Sequence, residues 1–326
     1  MQVNKIDIQW NPELSIYACE PFLKAVSDEY GWLGGIDENG VLCCILPYTI
    51  VRKAFVKMVR FRVETIPMTH NFGVNEEQSF LNCAVDYFRT NGADIIIPPT
   101  TNALFRTYPK GAKAAPYGTF IINLSQSEEI LWKNIHSKHR NVIRNAAKRG
   151  VNILCGKEHL TASYNIINDT FKRSSMPFMS INDFKRMVEG LSDNVKIFIA
   201  DLCGTPQGCA VIPYSKHTAY YVYGGTAVEP ITGATNLLQW EAIKYFAKEG
   251  VRFYDFCGAR INPDKGSKQA GIMMFKERFG PELVQGYTWK YSINPIKASV
   301  YNLAVRWLRG GDIVDAEHRK LNTTLQ

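Results

Sequence analysis

The residues with chemistry to offer gather between Ala219 and Tyr291. Tyr221 and Tyr223 lie in AYYVYGGT (219–226), where strand alternation would put both on one face. Gly233 stands where the loop 227–236 meets a helix, a place where backbone N–H groups can hold an anion. Asp255 closes the next strand, VRFYDFCG, at the end that faces the ligand crevice in an open α/β sheet. Lys276 follows, with Phe275 and Phe279 around its turn. Acyl transfer to an amine needs a deprotonated nucleophile, an activated ester or thioester, and positive charge near the developing oxyanion. Strand, loop, helix, strand and then lysine read as the acceptor half of such an enzyme. Asp255 could take the amine proton or orient the acceptor, or it could simply cap the 258–268 loop. The two tyrosines could line the acceptor site or pack in a core. Arg260, Lys265 and Lys268, in ARINPDKGSKQAG (259–271), suit a diphosphate or sugar phosphate; otherwise they are a solvated loop.

A second group of charges precedes these. SEEILWKNIHSKHRNVIRNAAKRGV (127–151) reads as one helix, capped by Ser127, with Leu131, Ile135, Val142 and Ala146 as its buried stripe. Lys133, His136, Arg140, Arg144 and Lys148 form a basic stripe, and no acid follows Glu129 until Glu158. Such a stripe binds an anion, tRNA phosphates for example, or is a solvated face. The six histidines form no triad with a Ser or Cys, and no metal spacing is present. The eight cysteines show no CxxC and mostly sit in apolar strand-like runs, as structural thiols of a reducing cytoplasm do.

Elements must position these groups, and 326 residues suffice for two domains. No run approaches the ~18 apolar residues of a membrane span, and the first twenty residues lack a signal peptide's apolar core. The net charge of +8 suggests an anionic partner. Hairpin 34–51, helix 76–92, strand 93–99 and strand 119–125 recur in order as 198–225, 237–250, 251–257 and 286–292, with Ile-Leu-Pro-Tyr-Thr (45–49) echoed by Val-Ile-Pro-Tyr-Ser (211–215). The chain reads as one α/β unit written twice.

The basic helix with Trp132, Arg140, Arg144 and Lys148-Arg149-Gly150-Val151 resembles the domain-joining helix of the Fem family of aminoacyltransferases. Tyr223-Gly224-Gly225, Gln239-Trp240-Glu241, Tyr254-Asp255-Phe256-Cys257-Gly258 and Phe275-Lys276 with Phe279-Gly280 extend that resemblance. It implies two tandem Gcn5-related acyltransferase-like domains, each a mixed twisted sheet flanked by helices. The first would be 1–150, ending in the linking helix 127–150 and joined by a C-terminal helix 293–311; the second, 151–292, would carry the acceptor site. It also implies Lys276 at the oxyanion with Phe275 beside it, and Arg173 at a position where the family often carries arginine. The expected activity is aminoacyl transfer from aminoacyl-tRNA to an amino group of a nucleotide- or lipid-linked cell-envelope precursor. The alternatives are acyl-CoA-dependent N-acylation in surface-polysaccharide biosynthesis, and a non-catalytic tRNA- or anionic-lipid-binding module. No tightly bound cofactor is expected; aminoacyl-tRNA or acyl-CoA is a co-substrate.

Two features depart from the pattern. No heptad run interrupts 152–195, so the coiled-coil arm of several Fem proteins is missing. Aligned on Gly233, the coenzyme A loop of Gcn5-type enzymes has Pro230 and Thr235 at its ends, which disfavours acetyl-CoA there; the loop HNFGVNEEQ (70–78) of the other domain stays open as a donor site. The C-terminal helix 293–311 has Ile296, Val300, Leu303, Ala304, Trp307 and Leu308 on one face, with Lys297, Arg306 and Arg309 elsewhere. Packing of that face against the first domain is expected, with peripheral membrane contact as the alternative.

Overall fold

The computed structural model describes residues 1–324, apart from the side chains of Arg309 and of residues 321–324. Arg309 as a basic last-turn side chain therefore lies outside the described residues. The strands are β1 (Gln2–Ile6), β2 (Glu29–Ile36), β3 (Leu42–Lys53), β4 (Val56–Phe61), β5 (Ile66–Pro67), β6 (Ile95–Ile96) and β7 (Lys113–Asn123) in the first half. In the second they are β8 (Asn152–Cys155), β9 (Val195–Leu202), β10 (Thr205–Pro213), β11 (Thr218–Tyr220), β12 (Tyr223–Thr226), β13 (Phe253–Asp255) and β14 (Glu282–Ser292). The helices are α1 (Glu20–Val26), α2 (Val74–Thr90), α3 (Glu128–Asn134), α4 (Ser137–Lys148), α5 (Leu160–Lys172), α6 (Ile181–Gly190), α7 (Ala234–Lys248), α8 (Lys268–Glu277), α9 (Pro295–Arg309) and α10 (Ile313–Thr324).

Local chemistry sets these boundaries. Asp37 accepts from Asn39 and Val41 N–H and Gly40 takes φ 79°, which closes the β2–β3 hairpin. At α9 Asn294 caps Lys297 N–H at 3.2 Å, Pro295 occupies the first turn, and Gly310 at φ 71° stops the helix.

The large sheet runs β1-β2-β3-β4-β6-β14-β7-β13-β11, with β5 on β3; a small sheet runs β12-β10-β9-β8. The two halves exchange their last strands. β14, from the second half, pairs with β6 through Tyr291↔Ile96 and with β7 from Glu282↔Ile121 to Lys290↔Lys113. β7, from the first half, pairs in turn with β13 at Ile121↔Asp255. One core lies around Phe61, Phe80, Phe88 and Trp289, a second around Trp240, Phe246, Tyr254 and Phe279. A third fills the seam, where Trp32 and Val63 meet Phe184, Ile197 and Cys257.

Three expectations are corrected. The strand 219–226 is not continuous: β11 lies parallel to β13 in the large sheet, and β12 pairs antiparallel to β10 in the small one. The chain changes sheet at Tyr221-Val222, so Tyr221 joins the core of Phe256 and Trp240 while Tyr223 joins that of Phe184. Their shared face is lost. The helix 127–151 is two helices, because Ile135 and His136 take extended ψ of 132° and 139°. The break buries Ile135 to 1% exposure, and the His136 ring caps Lys138 N–H. The C-terminal helix does not bury its broad face. Ala298 and Tyr301 fill the narrow apolar strip of Val56, Met58, Ile95 and Ile97, leaving Leu303 70% and Trp307 85% exposed.

Candidate active site at the strand ends

Asp255 ends β13 and is buried. Its Oδ1 accepts from the Thr119 hydroxyl on β7 and from Cys257 N–H at 2.7 Å. The expected alternative, a carboxylate capping the following loop, thus describes part of its bonding. Burial pushes its pKa up to about 6, against the pull of Thr119, the Cys257 N–H and the Lys276 charge. Immediately after it, Cys257 and Gly258 take left-handed φ of 50° and 65°. That region costs a non-glycine residue about 1 kcal/mol or more, and at Gly258 a Cβ would stand 2.6 Å from the Tyr117 hydroxyl.

The turn aims two carbonyls at one point, and the Lys276 ammonium fills it. Its Nζ donates to the Cys257 oxygen and, at 2.9 Å, to that of Gly258. Lys276 is 8% exposed, not the solvated helix lysine that is the ordinary fate of the residue type. Burial depresses its pKa, opposed by Cys257 and Asp255. An ammonium has three N–H donors, and carbonyls take two here, so one remains for a substrate oxygen. Phe275 anchors α8 to α4: its carbonyl bonds the His139 ring at 3.0 Å, and its ring lies against His139 and Phe279.

Facing these groups from the first half is the segment after β4. Glu64 accepts from Leu104 N–H at 3.3 Å, and burial raises its pKa to about 7, with the Asp255 charge adding to the rise. Arg62 is half-buried and donates to Thr49 Oγ1 at 2.8 Å; burial depresses it to about 9 and nearby Arg60 repels it further. Tyr223 lies within the influence of both arginines and edge-on to Phe178. Tyr220 bonds Ser15 Oγ at 3.0 Å, whereas the buried Tyr17 hydroxyl, on a ring tilted against Tyr220, has no partner among the described residues. Glu64, Arg62, Thr119 and Tyr17 were not among the residues read from the sequence. One signal was there: in VKMVRFRVETI, Arg60, Arg62 and Glu64 alternate with Val and Phe, an unusual run of charge along a strand's course into a core.

The other expected residues fall around this centre or elsewhere. Arg260 pairs with Glu317 of α10 at 3.4 Å. Lys268 donates to Ser174, while Arg173, one residue earlier, donates to Thr226 O at 2.6 Å, bracing the end of β12. Lys265 is exposed. Arg140 is half-buried and donates to the Lys133 and Ile135 carbonyls at 2.8 and 2.5 Å, so it closes α3 instead of projecting with the stripe. Arg144 stacks on Trp132 at 5.3 Å; Lys133 and Lys148 are exposed. Gly233, at φ 91°, caps α7 against α4, where a Cβ would strike the Val142 carbonyl, so its close contact is with a helix. Beside it, a cleft of about 540 Å³ lies between α4, α7 and α8, lined by Lys138, His139, Asn236, Phe275 and Arg278. The loop 70–78 is filled by its own acids: Glu76 accepts from Gly73 N–H at 3.1 Å, and Glu77 is buried against Arg106 at 2.6 Å. Among the described residues, no group of His, Cys, Asp and Glu could hold a metal ion.

The family model described as FemAB matches residues 105–203 and 208–306, more than half of the chain. The lipid II:glycine glycyltransferase of Staphylococcus aureus (strain USA300) is 25% identical over 171 residues, covering 50% of this chain and 36% of that protein. Its counterpart in Staphylococcus epidermidis (strain RP62A) is 29% identical over 103 residues, covering 31% and 25%. The chain thus spans about a quarter to a third of the length of these curated relatives. The crystal structure of FemX superposes with a TM-score of 0.65 at 14% identity, over 91% of this chain and 99% of that one, a likeness of fold. On the strength of that match over more than half of its length, the chain belongs to the FemAB family.

Proposed function

We propose that the chain is an aminoacyltransferase that moves an aminoacyl group from aminoacyl-tRNA to an amine of a lipid-linked cell-envelope precursor. The observation that carries this reading is the buried Lys276 ammonium, held by two carbonyls next to Asp255. In the reaction the acceptor amine attacks the ester carbonyl, a C–N bond forms, the ester C–O bond breaks, and a proton passes from the amine to the departing ribose oxygen. Lys276 offers its third N–H to the oxyanion, a preorganised donor in a water-poor site. Glu64, with a pKa near 7, is matched to accepting the amine proton at neutral pH. Asp255 holds the Cys257–Gly258 turn and offsets the lysine's charge. The curated relatives are named as glycyltransferases acting on lipid II, and that name supports a lipid-linked acceptor here.

The basic face of α3 and α4, with the cleft at Lys138, His139 and Arg278, supports an anionic donor reaching the site from that side. Two observations favour tRNA over acyl-CoA. Gly233 lies tight against the Val142 carbonyl, and at the start of α2 the Glu76 carboxylate already accepts from Gly73 N–H with Glu77 buried beside it on Arg106. A helix packed against one loop and carboxylates at the other both oppose the close approach of a pyrophosphate. Eight free cysteines suit a reducing cytoplasm. The test is transfer of label from aminoacyl-tRNA, and separately from acyl-CoA, to lipid II. Transfer from acyl-CoA alone overturns the donor; transfer from neither, in a folded protein, overturns the activity.

A further inference from the structure

α9 carries two faces of different fate. Ala298 and Tyr301 lie on the sheet, with Ala298 1% exposed, and Lys297 pairs with Asp94 at 3.0 Å. On the outer side Ile296 is 79% exposed, Val300 49%, Leu303 70%, Trp307 85% and Leu308 68%. These positions recur at intervals of three, four and one, which is a single helical stripe. Isolated exposed apolar residues are ordinary, but five large ones in one stripe mark a surface that is covered in use. The neighbouring β3–β4 turn, whose Val56 packs with Ala298, exposes Phe55 at 62% beside the exposed Lys53.

We propose that this face of α9 docks the protein on an anionic lipid bilayer, lying in the interfacial plane with Trp307 and Leu303 in the headgroup–acyl boundary. Three observations select a bilayer over a protein partner. Residues 293–311 contain no acid, and with Lys297 engaged by Asp94 the exposed Arg306, together with the exposed Lys53 beside Phe55, supplies the charge that complements an anionic leaflet. Trp307, the most exposed of the stripe, belongs to the residue type that settles where an apolar body meets water. The stripe is also small for a dimer: fifteen residues of helix span about 22 Å, and with a width of about 10 Å give a footprint near 220 Å², against about 800 Å² per partner in a stable interface. The inference does not rest on the donor or on the chemistry at Lys276. It concerns where the molecule works, and it would bring the active site to any acceptor carried on a lipid.

The experiment is flotation of the full chain with phosphatidylcholine vesicles, with and without phosphatidylglycerol. Brominated acyl chains report on Trp307 by the difference in quenching between the native chain and Trp307→Phe. The expected result is salt-sensitive binding that needs phosphatidylglycerol, quenching carried by Trp307, and a loss of affinity of at least about tenfold in Leu303→Asn/Trp307→Ala. Because both side chains are exposed, the double variant should keep the native melting temperature, and Arg306→Gln should weaken binding only to the anionic vesicles. Absence of vesicle binding, equal binding by the double variant, or a self-association in sedimentation that the double variant abolishes would each overturn the proposal.

Discussion

Replacing Lys276 by Met tests the centre of the proposed site, because Met keeps most of the side-chain volume and removes every donor. The native ammonium makes two hydrogen bonds to backbone carbonyls, each worth about 1.5–3 kcal/mol when the donor is charged. Against that stands the cost of keeping a cation at 8% exposure, which is several kcal/mol. The left-handed Cys257–Gly258 turn also loses its clamp, exposing about 1–2 kcal/mol of backbone cost. The terms nearly cancel, so the melting temperature should move by only a few degrees, a net change within about 2 kcal/mol. Turnover is another matter. Loss of one preorganised oxyanion donor costs about a hundred- to a thousandfold. The assay is label transfer to lipid II alongside calorimetry of the same preparation. Lys276→Arg should not restore activity, since a guanidinium fork does not fit a point enclosed by two carbonyls. A Met variant that folds and turns over within threefold of the native chain would refute the role given to Lys276.

Removal of the carboxylate in Glu64→Gln should abolish the rise in turnover through pH about 7 that a raised pKa imposes on a general base, a change visible in a pH–rate profile. Asp255 has a folded pKa raised to about 6, so its protonated form stabilises the fold most below pH 4 and that contribution is lost as pH rises to 6. Asp255→Asn should therefore narrow the drop in melting temperature between pH 4 and 7 by the equivalent of about 3 kcal/mol. Neutralising Lys133 and Lys148 should flatten the salt dependence of tRNA binding by roughly two units, measured by filter binding across a salt series; an unchanged slope would leave the stripe without a part in binding.

Much of the fold was legible because its signals are local or repeated. The echo of Ile45–Thr49 in Val211–Ser215 falls on the second strand of an antiparallel hairpin each time, β3 paired with β2 and β10, up to Pro213, paired with β9. Phe80, Leu81, Ala84, Val85 and Phe88 give α2 its buried face at helical spacing. Lys276 and Asp255 were legible as a pair because their order along the chain follows the unit. The failures share a cause, which is tertiary context that no local pattern records. Tyr221 and Tyr223 alternate correctly for one strand, but nothing in AYYVYGGT announces that the strand leaves one sheet for another between them. Arg140 has the spacing of an anion-binding stripe, yet the helix break at Ile135 turns it to the free carbonyls of α3. Glu64 belongs to the other half of the chain and feels the Asp255 charge only across the seam, so spacing could not join them. The outer stripe of α9 was readable as amphipathic; how little apolar sheet remained to receive it was not.

The exchange of final strands has a consequence for how the protein is made. During synthesis the first half emerges with β6 lacking the neighbour it will have in the finished sheet, since that neighbour, β14, starts at Glu282. β7 likewise waits for partners on both sides, β13 and β14, that lie more than a hundred residues downstream. Unpaired strand edges therefore persist until nearly the whole chain has left the ribosome, and such edges invite association with other chains. A fragment ending near residue 150 should aggregate where the intact protein does not. Two fragments divided in the 203–204 turn, by contrast, should regain a soluble complex only when produced together, each supplying the strand the other lacks.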